Sequence, residues 1–342
     1  MRFFLCLLMA LCTSALAEPA SYAAGAREFT ARMVERHGFD EAALAELLGQ
    51  ARYRQGIIDA IRRPWEAKPW FEYRSIFLTD ARIAAGTRFL ADNRELLERA
   101  QAELGVPPAI VAAIVGIETN YGANLGKHRV IDALTTLGFS YPKRASFFAR
   151  ELEELLLLAR EERLEPLAMV GSYAGAVGMP QFIPSSYRAY AVDFDGDGRR
   201  DLWGSRADVI GSVANYLARH GWRAGEPVAF RLEVAERLPE SLSVTEKKPQ
   251  RPDLPVSRLT SAGIALPDGL DGGDRVNLIR LEAPEDEYWL GMANFYVSTR
   301  YNHSNLYAMA VYQLSREIQG QQRAEGSTMA AGDRFEEKGV KP

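Results

Sequence analysis

Apolar residues recur at three- and four-residue intervals through the first two-thirds of the chain. The stretches "DEAALAELLGQA", "TRFLADNRELLERAQAEL" and "SFFARELEELLLLAREE" are the clearest cases, and each predicts an amphipathic helix with one face on a core. Such segments follow one another from about Tyr22 to Trp222, punctuated by Gly and Pro. The pattern changes between Glu226 and Ala283. There "PVAFRLEV" alternates apolar and polar residues, "RVNLIRLEA" does so less cleanly, and a connector, "TEKKPQRPDLP", separates them. Helical spacing returns in "SNLYAMAVYQLSREI", and the polar, Gly- and charge-containing tail after Gly320 has the composition of a disordered segment. The expectation is an α+β protein, mainly α, with no fixed-period repeat. A helical region spans 18–225, a small strand-containing subdomain 226–285, a helical return 286–320 and a disordered tail 321–342.

At 342 residues the chain can bury a large core, and its net charge of −4 offers no general basic field for nucleic acid. The opening "MRFFLCLLMALCTSALAEPA" predicts a secretory signal over residues 1–17: Arg2, an apolar run from Phe3 to Cys12, then Ala15-Leu16-Ala17 as a cleavage site. The run is too short for a membrane span. Both cysteines, Cys6 and Cys12, fall within it, so the processed protein would hold no thiol or disulfide. Leu11 before Cys12 disfavours lipid attachment, which wants a small residue there. These features point to an exported, periplasmic protein.

The segment "GVPPAIVAAIVGIETNYG" predicts a helix from about Pro107 whose single ionisable residue is Glu118. Val111, Ile114 and Val115 precede it by seven, four and three positions, so they share its face. Lost hydration and the helix C-terminus both favour the protonated carboxyl, which suits a general acid near neutral pH. An end-of-helix glutamate reaching out to water, or one held in a structural hydrogen bond, fits the same pattern. After it, Tyr121 and Gly122 are expected to turn the chain and leave an aromatic beside the carboxylate.

A second segment, "GSYAGAVGMPQFIPSSYRAYAVDFDGDG", is small-residue-rich from Gly171 to Gly178, allowing close backbone approach to a ligand, and is followed by Gln181 and Phe182. Together with "ALTTLGFSYPKRASFF", "DVIGSVANYLARHGW" and "NFYVSTRYNHSNLYAMAV", these stretches resemble the lytic murein transglycosylase B family of the lysozyme-like superfamily. The match runs in order from about Tyr73 to Tyr312.

That resemblance implies a lysozyme-like helical catalytic domain that cleaves the bond between N-acetylmuramic acid and N-acetylglucosamine in peptidoglycan without water. Glu118 matches the family's single acid and base, which protonates the glycosidic oxygen and then takes the proton of the sugar's own C6 hydroxyl. Ser172 and Gln181 match polar contacts of the small-residue loop, with Ser172 an orienter of Glu118 or of the sugar's acetamido group. Tyr216, Tyr296, Tyr301 and Asn302 match the groove lining, and at least one of the tyrosines is expected to be plain core. Lys143 and Arg144, in "YPKRASFF", match basic residues that would meet lactyl or peptide carboxylates; the first, as Lys, lacks the planar fork of Arg. Tyr73, in "FEYRSIF", is a weaker match. The implied partners are peptidoglycan glycan strands and other cell-wall machinery, with the protein a monomer.

Asp193, Asp195 and Asp197 alternate in "DFDGDGRRDLWGSRAD" and precede Gly198, the opening of an EF-hand-type Ca²⁺ loop. Gly204 stands where the closing Glu is usual. In the family the loop closes on a later aspartate, which maps to Asp208 across one extra residue; Asp208 could equally cap the following helix. Arg199 would offer its backbone carbonyl, and Asp201 a direct or water-mediated contact. Such an ion reads as a structural clamp. No organic cofactor is implied, and the four scattered histidines support neither zinc chemistry nor a Ser-His-Asp triad. Two rival readings stand beside this one. A lysozyme-type hydrolase would need a second carboxylate near Glu118, Asp132 or another acid, or a held water, whereas a non-catalytic peptidoglycan-binding scaffold would tolerate loss of Glu118.

Overall fold

Several helices begin where the sequence supplies a cap or a proline. Asp40 accepts the Ala43 N–H, Thr79 that of Arg82 and Ser205 that of Asp208, while Pro108 and Pro184 sit in first turns. The computed structural model describes residues 19–63, 68–234 and 238–336. The signal read at 1–17, with Cys6 and Cys12, lies outside them. Among the described residues the first half of the chain forms α1 (Ala20–His37), α2 (Glu41–Gly49), α3 (Gln55–Ile61), α4 (Trp70–Phe77), α5 (Asp80–Asp92), α6 (Arg94–Leu104), α7 (Pro108–Thr119), β1 (His128–Arg129), α8 (Val130–Ser140) and α9 (Ala145–Glu162). The second half forms β2 (Val170–Gly171), α10 (Pro184–Tyr190), α11 (Arg206–Arg219), β3 (Ala229–Leu232), β4 (Leu254–Pro255), α12 (Val256–Ser261), β5 (Arg275–Leu281), β6 (Glu287–Gly291), α13 (Ala293–Tyr301) and α14 (Asn305–Glu336).

The apolar α7 is buried from Ala109 to Ile117, enclosed by α5, α6, α11 and α14. A helix apolar on all sides belongs in such a position. It carries Glu118 to the edge of the main core.

Strands β3, β6, β5 and β4 form one antiparallel sheet in that order. Its hairpin pairs Leu278 with Leu290 and Ile279 with Trp289. Val276 and Leu278 face a small core with Leu232, Val256 and Leu259, whereas Ile279 and Leu281 join the main helical core. β5 is therefore buried on both faces, which is why "RVNLIRLEA" alternates poorly.

Two boundaries differ from expectation. The sheet continues past 285, because β6 occupies the start of the supposed helical return and pairs with β5. The tail expected to be disordered is helical through Glu336. Its Ala, Gln, Arg and Glu residues are good helix formers, and adding turns to an existing helix avoids the nucleation cost.

Candidate active site

The end of α7 is a tight left-handed turn: Asn120, Tyr121 and Gly122 have φ of 51°, 59° and 92°. Thr119 fixes it, its Oγ1 donating to the Met179 carbonyl (3.0 Å) and accepting the Gly122 N–H (3.1 Å). The turn folds Tyr121 back beneath its own helix. A Cβ at Gly116 would lie 2.5 Å from the Tyr121 Cζ, and one at Gly86 2.4 Å from its hydroxyl, so glycine at both positions admits the ring. Its hydroxyl donates to the Arg82 carbonyl at 3.1 Å, and burial pushes its pKa up. Tyr121 is thus a packing residue, not the aromatic expected at the carboxylate.

That place is taken by Tyr307, on the first turn of α14. Its hydroxyl donates to Glu118 Oε1 at 2.6 Å, a short bond. Tyr307 is 2% exposed and Glu118 half-buried. Burial, followed by the adjacent Glu118 charge, holds the Tyr307 pKa well above its ordinary value, so the phenol stays a donor. The sequence reading missed Tyr307. The available signal was a phenol set inside the apolar run "LYAMAV", where a buried hydroxyl must find a partner.

Tyr301 stands beside it, the two rings near-parallel (10°) with centroids 6.2 Å apart. Its hydroxyl donates to the Pro180 carbonyl at 2.7 Å, and burial followed by Glu118 raises its pKa well above normal. Glu118, Tyr301 and Tyr307 are therefore joined to the 171–182 loop twice, through Thr119 and through Tyr301.

The small residues of that loop serve mainly contact with the protein itself. A Cβ at Gly171 would meet the Ala176 carbonyl at 2.1 Å, one at Gly175 the Leu134 side chain at 2.5 Å, and one at Gly178 the Leu202 carbonyl at 2.6 Å. Ser172 Oγ accepts the N–H groups of Ala176 (3.0 Å) and Ala174 (3.3 Å), which braces the loop. Gln181 takes a left-handed φ of 50°, and its side-chain amide donates to Gly178 O at 2.9 Å and Leu125 O at 3.4 Å.

Other predicted residues separate into lining and core. Tyr216 is core: it is buried, stacks on His220 at 4.1 Å, and donates to the Arg300 carbonyl at 2.6 Å. Burial lifts its pKa to about 12. Tyr73 is also buried, between Trp70 and Phe77, but lies close enough to Tyr307 to raise that phenol's pKa. Tyr296 and Asn302 are half-buried, while Lys143 and Arg144 are exposed, Arg144 lying 4.2 Å over the Phe147 ring. Asp132, the hydrolase candidate, is 2% exposed and fully engaged. It accepts from Arg129 at 2.7 and 3.2 Å, from the Arg52 N–H at 2.9 Å and from Arg54 Nε at 3.3 Å. It is a clamp and leaves that rival without its named acid.

In the acidic loop, oxygens of Asp193, Asp195 and Asp197 all lie within 4.8 Å of one another. Asp193 accepts the N–H groups of Gly196, Asp197 and Gly198, which winds the loop around it. Ser205 Oγ donates to Asp195 at 2.7 Å. Asp208 is different from both expectations. It is 1% exposed and stands outside the cluster, its two oxygens taken by the Phe194 and Asp201 N–H groups at 2.7 Å each. The helix cap is Ser205. Asp208 is thus a latch between the two limbs of the loop, and Asp201 turns its Oδ1 inward to the Trp203 and Gly204 N–H groups.

A mostly helical body with a small antiparallel sheet, carrying one half-buried carboxylate and its phenol donor beside the 171–182 loop, matches the lysozyme-like fold of the lytic transglycosylases. Residues 21–316 match the transglycosylase SLT domain family, and the chain belongs to it. It is 41% identical over 305 residues to the membrane-bound lytic murein transglycosylase B of Escherichia coli (strain K12), covering 86% of this chain and 82% of that protein. Among solved structures it is similar to the soluble lytic transglycosylase SltB1 from Pseudomonas aeruginosa, at 48% identity and a TM-score of 0.81 over 88% of this chain and 99% of that one. It is also similar to the Escherichia coli lytic transglycosylase SLT35 solved in complex with calcium, at 40% identity and a TM-score of 0.78 over 87% and 93% of the two chains. The activity is that of a peptidoglycan lytic transglycosylase. Among the described residues no single helix is long and apolar enough to cross a membrane.

Proposed function

We propose that Glu118 alone serves as both acid and base in non-hydrolytic cleavage of the glycan strand. The protonated carboxyl gives its proton to the bridging oxygen as the muramic acid C1–O bond breaks, and the 2-acetamido group stabilises the charge at C1. The resulting carboxylate then takes the proton of the C6 hydroxyl, whose oxygen bonds to C1 and closes a 1,6-anhydro ring. Glu118 ends protonated, as it began. The nucleophile belongs to the same sugar, so no water need be held and one carboxyl suffices where ordinary glycosidases use two. The observation carrying this reading is the 2.6 Å bond from Tyr307 to Glu118 at the end of a buried helix. Tyr301, Gln181, Tyr296 and Asn302 supply groove lining; Lys143 and Arg144 supply exposed cations for substrate carboxylates. The test is mass spectrometry of digested peptidoglycan. Anhydro-muramyl ends, lighter by one water than reducing ends, are expected; reducing ends would make the enzyme a hydrolase.

We further propose that the Asp193–Asp197 loop holds Ca²⁺ as a structural clamp. Three clustered carboxylates are the hard oxygen donors that ion prefers, and the related SLT35 was solved with calcium. An ion bound only by the folded state stabilises it by about 2.7 kcal/mol at a hundredfold excess over Kd, or about 5 °C in Tm. Thermal melts with and without chelator should show a shift of that order, and Asp195→Asn should remove it. The chain is further read as exported, its N-terminal signal removed after Ala17.

A further inference from the structure

The connector "TEKKPQR", Thr245 to Arg251, is fastened to α14, the helix that carries Tyr307. Its first residue is stitched to β5, the Thr245 N–H reaching the Leu278 carbonyl and the Arg280 N–H reaching the Thr245 carbonyl, both at 2.8 Å. Its middle is captured by Asn305, a residue with 0% exposure. The Asn305 side-chain amide donates to the carbonyls of Glu246 (2.7 Å) and Lys248 (3.2 Å), and its backbone N–H to that of Lys247 (2.9 Å). Three successive carbonyls on one buried asparagine make the segment a rigid strap. Asn305 lies two residues before Tyr307, roughly 3 Å along the α14 axis, so the strap is fixed next to the residue that holds Glu118.

The strap's charge is one-sided. Glu246 is neutralised by Arg280, leaving the exposed Lys248 and Arg251 as cations. The Arg251 guanidinium lies 5.8 Å from the Tyr296 ring centroid, and Arg300, one turn further along α13, lies 5.9 Å from the same ring. Among the described residues no carboxylate forms an ion pair with Arg251, Arg300 or Lys248. Tyr296 thus acts as a post that orients two guanidinium groups through cation–π contact. Planar guanidinium forks suit carboxylates.

We propose that the strap and α13 form a carboxylate-binding site for the peptide stems of peptidoglycan, with Arg251 and Arg300 as the recognising groups and Asn305 as the positioning residue. The site sorts glycan strands by whether they carry peptides. The proposal rests on the glycan-groove reading of Glu118 and adds a specificity to it.

The test compares full-length wild type with Arg251→Ala, Arg300→Ala and the double variant on two substrates: peptide-bearing glycan strands, and the same strands stripped of peptides by an amidase. For partly exposed ion pairs the expected loss of kcat/KM on peptide-bearing strands is about threefold for each single variant and roughly tenfold for the double, mainly through KM. On stripped strands, which retain only the lactyl carboxylate, all four proteins should agree within about twofold. Unchanged cleavage of peptide-bearing strands would overturn the assignment. So would an equal loss on both substrates, since that would move the guanidinium groups to the lactyl or sugar face. Stripped-strand cleavage tests the groove reading separately, because that rate depends on Glu118 whatever the strap does.

Discussion

Glu118→Gln should abolish lysis of peptidoglycan. Gln is nearly isosteric and keeps an oxygen to accept from Tyr307, so the 2.6 Å contact and the packing of α7 have a substitute. It can neither give a proton to the leaving oxygen nor take one from the C6 hydroxyl. General acid or base assistance contributes roughly 10²- to 10⁴-fold in a single step. On the proposed mechanism one group serves both steps, so its removal should lower turnover by at least about 10³-fold. Turbidity clearing of purified peptidoglycan and the yield of anhydro-muropeptides measure the loss. Thermal melting and retention on insoluble peptidoglycan should be nearly unchanged, which separates lost chemistry from lost structure. Clearing at the wild-type rate would remove Glu118 from the mechanism and leave the scaffold reading, or another acid, in its place.

What could be read in advance divides according to the range of the interaction. The burial of α7 and the placement of Glu118 follow from a run of apolar residues ending on one carboxylate, a local property of sequence. The contact that completes the site joins residues 189 positions apart, and no periodicity encodes such a pairing. Tyr307 accordingly passed for another apolar member of its helix. The acidic loop behaves the same way. The alternating aspartates were legible, but Asp208 was not, because its role depends on two backbone N–H groups brought to it by the loop's own path. The β5 pattern was half-legible because a strand serving two cores loses the alternation that marks a strand with one wet face. Tyr216 met the motif yet packs in the core, since a sequence match does not reveal which side of a wall a ring faces.

Tyr307→Phe should give the second-largest loss, and one with a distinctive form. Phe preserves the ring that stacks on Tyr301 and removes only the hydroxyl that donates to Glu118. A hydrogen bond to a charged group contributes about 1.5–3 kcal/mol, so turnover should fall roughly 10- to 100-fold. Substrate contacts elsewhere in the groove are untouched, and KM should change little. The pH profile carries the sharper prediction. The phenol is held protonated by burial and by the neighbouring charge, and as a donor it favours the ionised carboxylate over the protonated one. Without it Glu118 keeps its proton to higher pH, so the limb reporting loss of the acid form should move toward alkaline pH. A role confined to packing would lower Tm and kcat without moving that limb. A profile superimposable on that of wild type would therefore reduce the Tyr307 contact to a structural one.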